Sequence, residues 1–515
     1  MPAPPGPRDL LLLLVALAGI ALALHRLHGA TAGIAVETLT IGRTPAVLHR
    51  LEGAPPGPVV VIAHGFSGST ALMRSLALTL AGEGLLALSF DFLGHGRHPD
   101  PLGGDLRAVE GATAALVAQT RTVLAHARVL GDGRVALLGH SMAGDVLVRV
   151  AALEPDVQAL VAISMLSPAV TASEPRNLLA IAGAWEGRLA AEALRVAGLA
   201  SAPEPPEAGR TRGRFEDGSA RRAVIVPGVE HVGVLFAATT QLEAASWLAS
   251  AFGRRPAEPP RPALRGPWIL LLIGACLALV RPLVRLLPAV PEPARAEVAT
   301  GEPPARPWGP LVGRLALATV ATPLVLRLAR PDLLPVQLAG HLAAQLGLFG
   351  LLLLLPRRGA LPRPLARVPP VRLLVASLGC TIALVAPVTL AVHAELTLLP
   401  PSAARLPVMA ALLAGGLLFF LGVERAGRGP TAPRGAPPMI LLAFLVSLAA
   451  AIALDPDRLL FLGALAILLL PVLVTALLLG RWARRATGHP LPPALACAVF
   501  AAVLLGGTMP LLADP

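Results

Sequence analysis

Beyond residue 267 apolar runs of membrane-spanning length follow one another, and that rules out a single water-soluble domain. There are about eight, near 267–287, 309–329, 333–356, 373–393, 406–423, 438–454, 459–480 and 491–512. An α-helix needs about 20 apolar residues to cross the hydrocarbon of a bilayer. The run at 309–329 is the weakest, because Arg314 sits inside it. Residues 35–252, by contrast, have ordinary polar spacing and enough length for one full domain. An earlier apolar run, 10–24, has signal-peptide or short-anchor length. Ala21-Leu22-Ala23 and Ala30-Thr31-Ala32 could each serve as a cleavage site, so anchor and signal both fit, with the anchor preferred. The expected order is an N-terminal anchor or signal peptide (1–34), a soluble domain (35–252), a Pro- and Arg-rich linker (253–266) and an all-α polytopic membrane domain (267–515).

The formal net charge of +12 could suggest nucleic acid, but the residue types argue otherwise. There is no tyrosine, and aromatic residues are only 3%, so base-stacking platforms are missing. The arginines instead flank the apolar segments, where cationic residues orient membrane helices. Arg357, Arg358, Arg363, Arg367 and Arg372 fall in one loop, Arg425, Arg428 and Arg434 in another, and Arg481, Arg484 and Arg485 in a third. The intervening loops 394–405 and 455–458 hold one arginine each. Assigning the arginine-rich loops to the cytoplasm and counting back through every segment puts residues 35–252 outside it. Cys276, Cys380 and Cys497 lie inside apolar segments without metal or disulfide spacing and read as packing residues.

Between residues 35 and 252, strand-like and helix-like stretches alternate, as in a mostly parallel sheet covered on both faces. The strand candidates are 59–63 (VVVIA), 86–90 (LALSF), 135–138 (VALL), 157–164, 177–182 and 223–226. Helical stretches fall at 71–80 and 109–130. Directly after strand 135–138 comes Gly139-His140-Ser141-Met142-Ala143-Gly144, which leads into a helical stretch. A nucleophilic serine on a sharp strand-to-helix turn needs small residues two positions to either side. Here the second is Ala143, one methyl larger than glycine, with Gly144 next. After strand 59–63 the loop His64-Gly65-Phe66-Ser67-Gly68-Ser69 can present a backbone N–H to a developing oxyanion. The N–H groups of Phe66 and Met142 are the pair assigned to that role.

HGFSGS, DFLGHG at Asp91–Gly96 and GHSMAG together resemble the α/β-hydrolase superfamily. The chain is most similar to the branch that holds serine aminopeptidase-like proteins, monoglyceride lipases and bacterial feruloyl esterases, over roughly residues 35–252. The resemblance implies a nucleophile after the fifth conserved strand, an acid after the seventh and a histidine after the eighth. Ser141 fills the first position, Glu186 in Gly183-Ala184-Trp185-Glu186 the second, and His231 in Pro227-Gly228-Val229-Glu230-His231 the third. Glu230 competes as the acid, but adjacent side chains in an extended loop point apart, which favours Glu186. His95 reads as structural, and His64 and His140 as packing beneath the nucleophile loop. Only about a dozen residues (165–175) separate the sixth and seventh strands, too few for the helical cap of many relatives. The stretch 199–222 reads as a mobile flap or an unstructured segment.

The resemblance implies a membrane-anchored serine hydrolase that cleaves an acyl ester, lipid or otherwise, through an acyl-enzyme, with no metal or organic cofactor. An acyltransferase or peptidase using the same residues, or a non-catalytic transporter or scaffold, are the alternatives. In the membrane half, Gln337, His341 and Gln345 share one helix face, and interhelical hydrogen bonding is the preferred reading. His393 and Glu395 fall at a segment end and read as interfacial.

Overall fold

The computed structural model describes residues 6–105, 108–199, 205–254, 261–290, 308–329, 337–355, 368–393, 395–398, 402–429 and 432–513. Arg357, Arg358, Arg363 and Arg367, linker residues 255–260, residues 200–204 and the side chain of Gln337 lie outside them. The chain divides into two compact units, one of 21–272 with 392–398 and 510–515, the other of 1–20, 273–391 and 399–509.

The first unit is built on an eight-stranded sheet: β1 (Ile34–Ile41), β2 (Thr44–Leu51), β3 (Val59–Ala63), β4 (Leu86–Phe90), β5 (Val135–His140), β6 (Val157–Ile163), β7 (Leu178–Gly183) and β8 (Arg221–Val226). The spatial order is β1-β2-β4-β3-β5-β6-β7-β8. The β1–β2 and β2–β4 pairs are antiparallel and all others parallel. The six apolar runs read as strands are β3 to β8. The hairpin β1–β2 adds two strands to these six. Along β1 the side chains between the two ends alternate between half-buried and exposed, so the strand lacks the continuous apolar run of a central strand.

A long helix, α1 (Pro7–Gly29), precedes the sheet. Helices α2 (Arg74–Gly82), α3 (Ala114–Leu130), α4 (Met142–Leu153), α5 (Gly187–Gly198) and α6 (Ala238–Ala251) fill the crossovers. On one face, Leu76 and Leu80 of α2 and Trp247 and Leu248 of α6 pack on Val60, Ile62, Leu138, Val161 and Ile181. Every residue of β3, β4 and β5 is buried, as the continuous β-branched and leucine-rich runs require of strands covered on both faces. The described residues between β6 and β7 contain no helix, so no helical cap is built there. Most of residues 205–220 are exposed, but Phe215 ties the stretch to the α/β core. Phe215 meets Trp247 edge-on with ring centroids 4.7 Å apart. Asn177 Nδ2 donates to the Phe215 carbonyl. An aromatic residue inside a Pro- and Arg-rich stretch supplied the apolar anchor that the polar composition concealed. Glu395 is likewise not merely interfacial, since it accepts a charge-assisted bond from the buried Arg265 and lies 3.8 Å from Arg74.

The remaining helices are α7 (Gly266–Arg285), α8 (Gly309–Ala329), α9 (Gln337–Leu354), α10 (Pro370–Val392), α11 (Leu406–Gly422), α12 (Ala436–Leu454), α13 (Pro456–Ala464), α14 (Ala466–Thr487) and α15 (Leu491–Thr508). Among the described residues, seven helices, α1 among them, are long and apolar enough to cross a membrane, or eight if the bent pair α13–α14 counts as one span. The run read as one helix at 459–480 is this pair, bent by 60°. Pro471 lies five residues into α14, and its ring cannot donate to the carbonyl four residues back, which weakens the helix at the bend. Helix α11 packs tightly on α9. A Cβ on Gly415 would lie 2.1 Å from the Ala343 carbonyl oxygen, so only glycine lets the two backbones approach this closely. Gln345 of α9 donates to Ser447 Oγ of α12 at 3.0 Å, the interhelical bond expected of that polar face. All three cysteines are free and buried.

Candidate active site

Ser141 occupies the single residue between β5 and α4, with φ 56° and ψ −118°. A side chain in this region costs on the order of 1–3 kcal/mol and is held only by strong surroundings. Its N–H donates to the Ile163 carbonyl of β6 at 2.8 Å, and its carbonyl accepts from Gly144 at 2.8 Å to start the helix. The tight turn needs small neighbours. A Cβ on Gly139 would lie 2.6 Å from Leu147 Cδ1, and one on Gly144 would lie 2.3 Å from Met165 Cβ. Ala143 is fully buried, so the extra methyl is accommodated, and the glycine one position later makes room for the chain leaving β6.

The loops after β7 and β8 bring the other two residues to Ser141. His231 Nε2 lies 2.9 Å from Ser141 Oγ, and His231 Nδ1 lies 2.5 Å from Glu186 Oε1. The carboxylate can only accept at Nδ1, so the proton sits there and the Nε2 lone pair faces the serine hydroxyl. Glu186 Oε2 accepts from Ser164 Oγ and from the Gly183 N–H, both at 2.7 Å. Burial alone would raise the Glu186 carboxyl, but the bonds from His231, Ser164 and Gly183 outweigh it and hold the group below its ordinary range. Glu230 points elsewhere. Its carboxylate accepts from the Val232 and Gly233 N–H groups at 2.7 Å each and caps the short turn Gly233–Phe236. Ser164 was not singled out in the sequence. Its only signal is its position as the polar residue that ends an apolar strand run.

Met142 opens α4, so its N–H belongs to the first turn, which a helix leaves without an intrahelical acceptor. Phe66 lies on the loop after β3, held from several sides. His64 Nδ1 is 2.8 Å from the Gly65 carbonyl, while its Nε2 accepts the Phe92 N–H at 3.1 Å, which fixes the proton on Nδ1. Burial pushes the His64 imidazole below its ordinary value against the opposing charge of Asp91, so the ring stays neutral. Asp91 itself accepts from the Thr70 N–H (2.8 Å) and the Arg97 N–H (2.9 Å), tying the ends of both loops together. His95 bonds the Leu93 carbonyl and packs edge-on to the Phe66 ring, a structural role as expected. His140 sits beneath, with Nε2 2.8 Å from the His231 carbonyl oxygen. Among the described residues no group of three or more His, Cys, Asp or Glu is arranged to hold a metal ion.

A serine hydroxyl bonded to a neutral imidazole, itself bonded to a carboxylate, can transfer its proton as it attacks an electrophilic carbon.

Residues 54–211 match the family model described as serine aminopeptidase, S33, a segment that contains Ser141 and Glu186 and ends before His231. No curated protein matches the chain. Among solved structures, an epoxide hydrolase from Vigna radiata is similar at 22% identity over 26% of this chain, with TM-score 0.21. The chain spans 38% of that enzyme's length. TT1662 from Thermus thermophilus is similar at 20% identity over 43% of this chain and 99% of its own, with TM-score 0.31. A hormone-sensitive lipase from a metagenome library is similar at 15% identity over 49% of this chain and 100% of its own, with TM-score 0.32. The mostly parallel sheet, its helical crossovers and the family match over residues 54–211 agree on an α/β-hydrolase fold, followed by a helical region with several helices long and apolar enough to cross a membrane.

Proposed function

We propose that the chain is a membrane-anchored serine hydrolase that cleaves a carboxylic ester through an acyl-enzyme. The observation that carries this reading is the bonded series Ser141–His231–Glu186, with Ser141 held in a strained turn at the end of β5.

In the proposed reaction Ser141 Oγ attacks the ester carbonyl carbon while its proton passes to His231 Nε2. The carbonyl oxygen takes up the negative charge and is met by the Phe66 and Met142 N–H groups, each worth about 3 kcal/mol of barrier. Glu186 keeps His231 in the tautomer that can accept, and stabilises the cation once it has accepted. The C–O bond of the alcohol then breaks, and the alcohol leaves with the proton from His231. Water repeats the sequence, giving up a proton to His231 as it attacks and releasing the acid and free Ser141. The absence of a helical cap between β6 and β7 favours a bulky acyl ester, lipid among the candidates. The arginines at the end of α14 (Arg481, Arg484 and Arg485) and those following α11 (Arg425, Arg428 and Arg434) favour a cytoplasmic position for these helix ends and an extracytoplasmic one for the hydrolase domain. A compartment-specific reporter fused after residue 266 tests the sidedness, and activity of a cytoplasm-only reporter there reverses it.

The deciding experiment is labelling of the detergent-solubilised full chain with a fluorophosphonate, comparing wild type with Ser141→Ala, Glu186→Ala and His231→Ala. Labelling of wild type that disappears in the Ser141 and His231 variants supports the reading. A folded wild type that stays unlabelled overturns it. A panel of acyl esters, amides and acceptor alcohols then separates ester hydrolysis from peptidase and acyl-transfer activity.

A further inference from the structure

His140 does more than fill space under the nucleophile turn. Its Nε2 lies 2.8 Å from the carbonyl oxygen of His231, and a carbonyl can only accept, so Nε2 carries the proton and donates. The two imidazoles also pack ring to ring, with centroids 4.8 Å apart and planes tilted by 45°. On its other side Nδ1 is buried with no hydrogen-bond partner and faces the loop after β3, where a Cβ on Gly65 would lie 3.0 Å away. The same Cβ would lie 3.0 Å from Ser141 Cβ. One ring therefore fixes the spacing between the His231 loop and the Phe66 loop, and it belongs to the residue adjacent to Ser141.

We propose that His140 is a positioning residue for the general base, setting the place of His231 through the Nε2–H bond to the His231 carbonyl. The inference rests on the reading of Ser141 and His231 as nucleophile and base. The main chain at 227–232 is irregular, and apart from the local turn in which Glu230 accepts from the Val232, Gly233 and Val234 N–H groups, few contacts tie it to the rest of the sheet. Ala184 N–H donates to the Val226 carbonyl at 2.8 Å, Trp185 N–H to the Val229 carbonyl at 3.2 Å, and Glu186 holds the His231 ring. The His140 bond acts on the backbone of the base itself. Without it the imidazole keeps its carboxylate partner but loses its fixed distance to Ser141. His140 is suited to this work because it does not charge: burial and the neighbouring His231 push it down to about 3, so its donor stays in place across the working range. A cation at this position would oppose the imidazolium that His231 becomes. The unpartnered Nδ1 lone pair fits the same purpose, since moving the proton to Nδ1 would break the bond to His231.

The test uses an isosteric pair in the full-length, detergent-solubilised protein. A glutamine amide nitrogen reaches the position of Nε2, whereas an asparagine amide nitrogen reaches only that of Nδ1. We expect His140→Gln to keep kcat within about 5-fold, and His140→Asn to lower it by about 10–100-fold, the range for a small displacement of a reacting group. KM should stay level in both. Rates are expressed per site titrated by exhaustive fluorophosphonate labelling, so an unfolded fraction drops out. Should the asparagine protein not fold, His140→Met, which fills the volume without a donor, must show the same loss. Equal kcat per titrated site in the Gln and Asn (or Met) proteins overturns the inference while leaving the hydrolase reading intact. A parallel drop in both does the same, because a packing role would not tell the two amides apart. A wild type that does not label at all removes the hydrolase reading and this inference with it.

Discussion

In the α/β unit, buried polar side chains are tied into one arrangement: Glu186 holds His231, Ser164 and Gly183 hold Glu186, His140 holds the His231 backbone, and Asp91 joins two loops. In the helical unit, buried polar groups connect helix to helix instead: Gln345 of α9 bonds Ser447 of α12, and Glu424, just past α11, pairs with Arg428 and lies 3.8 Å from Arg484 of α14. The contrast has a physical origin. A sheet presents its loop ends at one edge, so side chains from distant positions in sequence converge there and strain can be stored, as at Ser141. Apolar helices satisfy their backbones internally. A polar side chain among them gains a partner only where a neighbouring helix offers one. In the first unit polarity serves the geometry of one site, and in the second it joins helices.

The substitution that presses hardest on this contrast is Glu186→Gln. It preserves shape but lets the amide donate toward Nδ1, which moves the imidazole proton to Nε2, where it faces the serine. The expected loss in kcat is on the order of 10³–10⁴-fold. Glu230→Gln, which only weakens the cap on the 233–236 turn, should leave kcat within about 3-fold. Steady-state turnover of both variants on one ester decides the matter. If Glu230→Gln proves the more damaging, the carboxylates have been assigned in the wrong order.

This pair also marks how far the sequence could be read. Ser141, Glu186 and His231 were legible because each follows an apolar strand run, and strand ends are where an open α/β sheet gathers its polar side chains. The choice between Glu186 and Glu230 could be argued only from the opposed directions of adjacent side chains. Ser164, on the other hand, carries no motif. Its contact with Glu186 depends on β6 lying beside β7, and a periodicity argument does not supply that order. The hairpin β1–β2 escaped notice for a related reason: an edge strand alternates and so resembles the polar stretches around it. In the helical half the apolar runs cover the long helices of the described residues, but the bend between α13 and α14, with Pro471 close behind it, lies inside a run that looks uniform in hydropathy.

A second test asks whether acid attacks the α/β unit through its buried histidines. Burial, with Arg74 and Arg265 nearby, pushes His49 down to about 4, and burial with His231 nearby pushes His140 down to about 3. His64 is lowered in the same direction by its burial. Each ring is neutral when folded and binds a proton when unfolded below about pH 6.5, so the unfolded state takes up more protons there. Stability must therefore rise with pH up to about 6.5 and then level off. Between pH 6.5 and 5, His49 and His140 should each cost about 2 kcal/mol. Urea midpoints of the α/β unit at pH 7.5 and pH 5 measure the drop, and His49→Gln should remove roughly half of the part due to these two rings. A midpoint that does not move with pH would mean that these rings are protonated in the folded protein.

A smaller effect is expected at Gly144. An added methyl would lie 2.3 Å from Met165 Cβ, so the chain leaving β6 must shift. Gly144→Ala should destabilise the unit by about 1–3 kcal/mol, the usual range for an overpacked core. Because Met165 directly follows Ser164, the shift should reach the Glu186 carboxylate, and kcat should fall along with Tm. Gly82→Ala is the control. It lies at the end of α2 with nothing within 4 Å of an added Cβ and should change neither. Equal behaviour of the two variants would mean that the strand-to-helix turn has slack.

The weakest expected effect belongs to the helical unit and sharpens the comparison most directly. The Gln345–Ser447 bond joins two helices that also meet through Phe349 and Phe444, and such bonds average about 0.6 kcal/mol in membrane proteins. A double-mutant cycle of Gln345→Leu and Ser447→Ala, read by thermal unfolding in detergent, should return a coupling of about that size and leave fluorophosphonate labelling unchanged. Both side chains are fully buried, and Gln345 Oε1 has no hydrogen-bond partner, so removing the amide also removes an unsatisfied acceptor. Gln345→Leu alone should therefore cost little, or even stabilise, whereas Ser447→Ala leaves the Gln345 amide buried without an acceptor and should cost more. That asymmetry is the signature of a polar group kept only for helix pairing. If labelling fell with either substitution, polarity in the helical unit would serve the α/β site after all, and the division of roles between the two units would no longer stand.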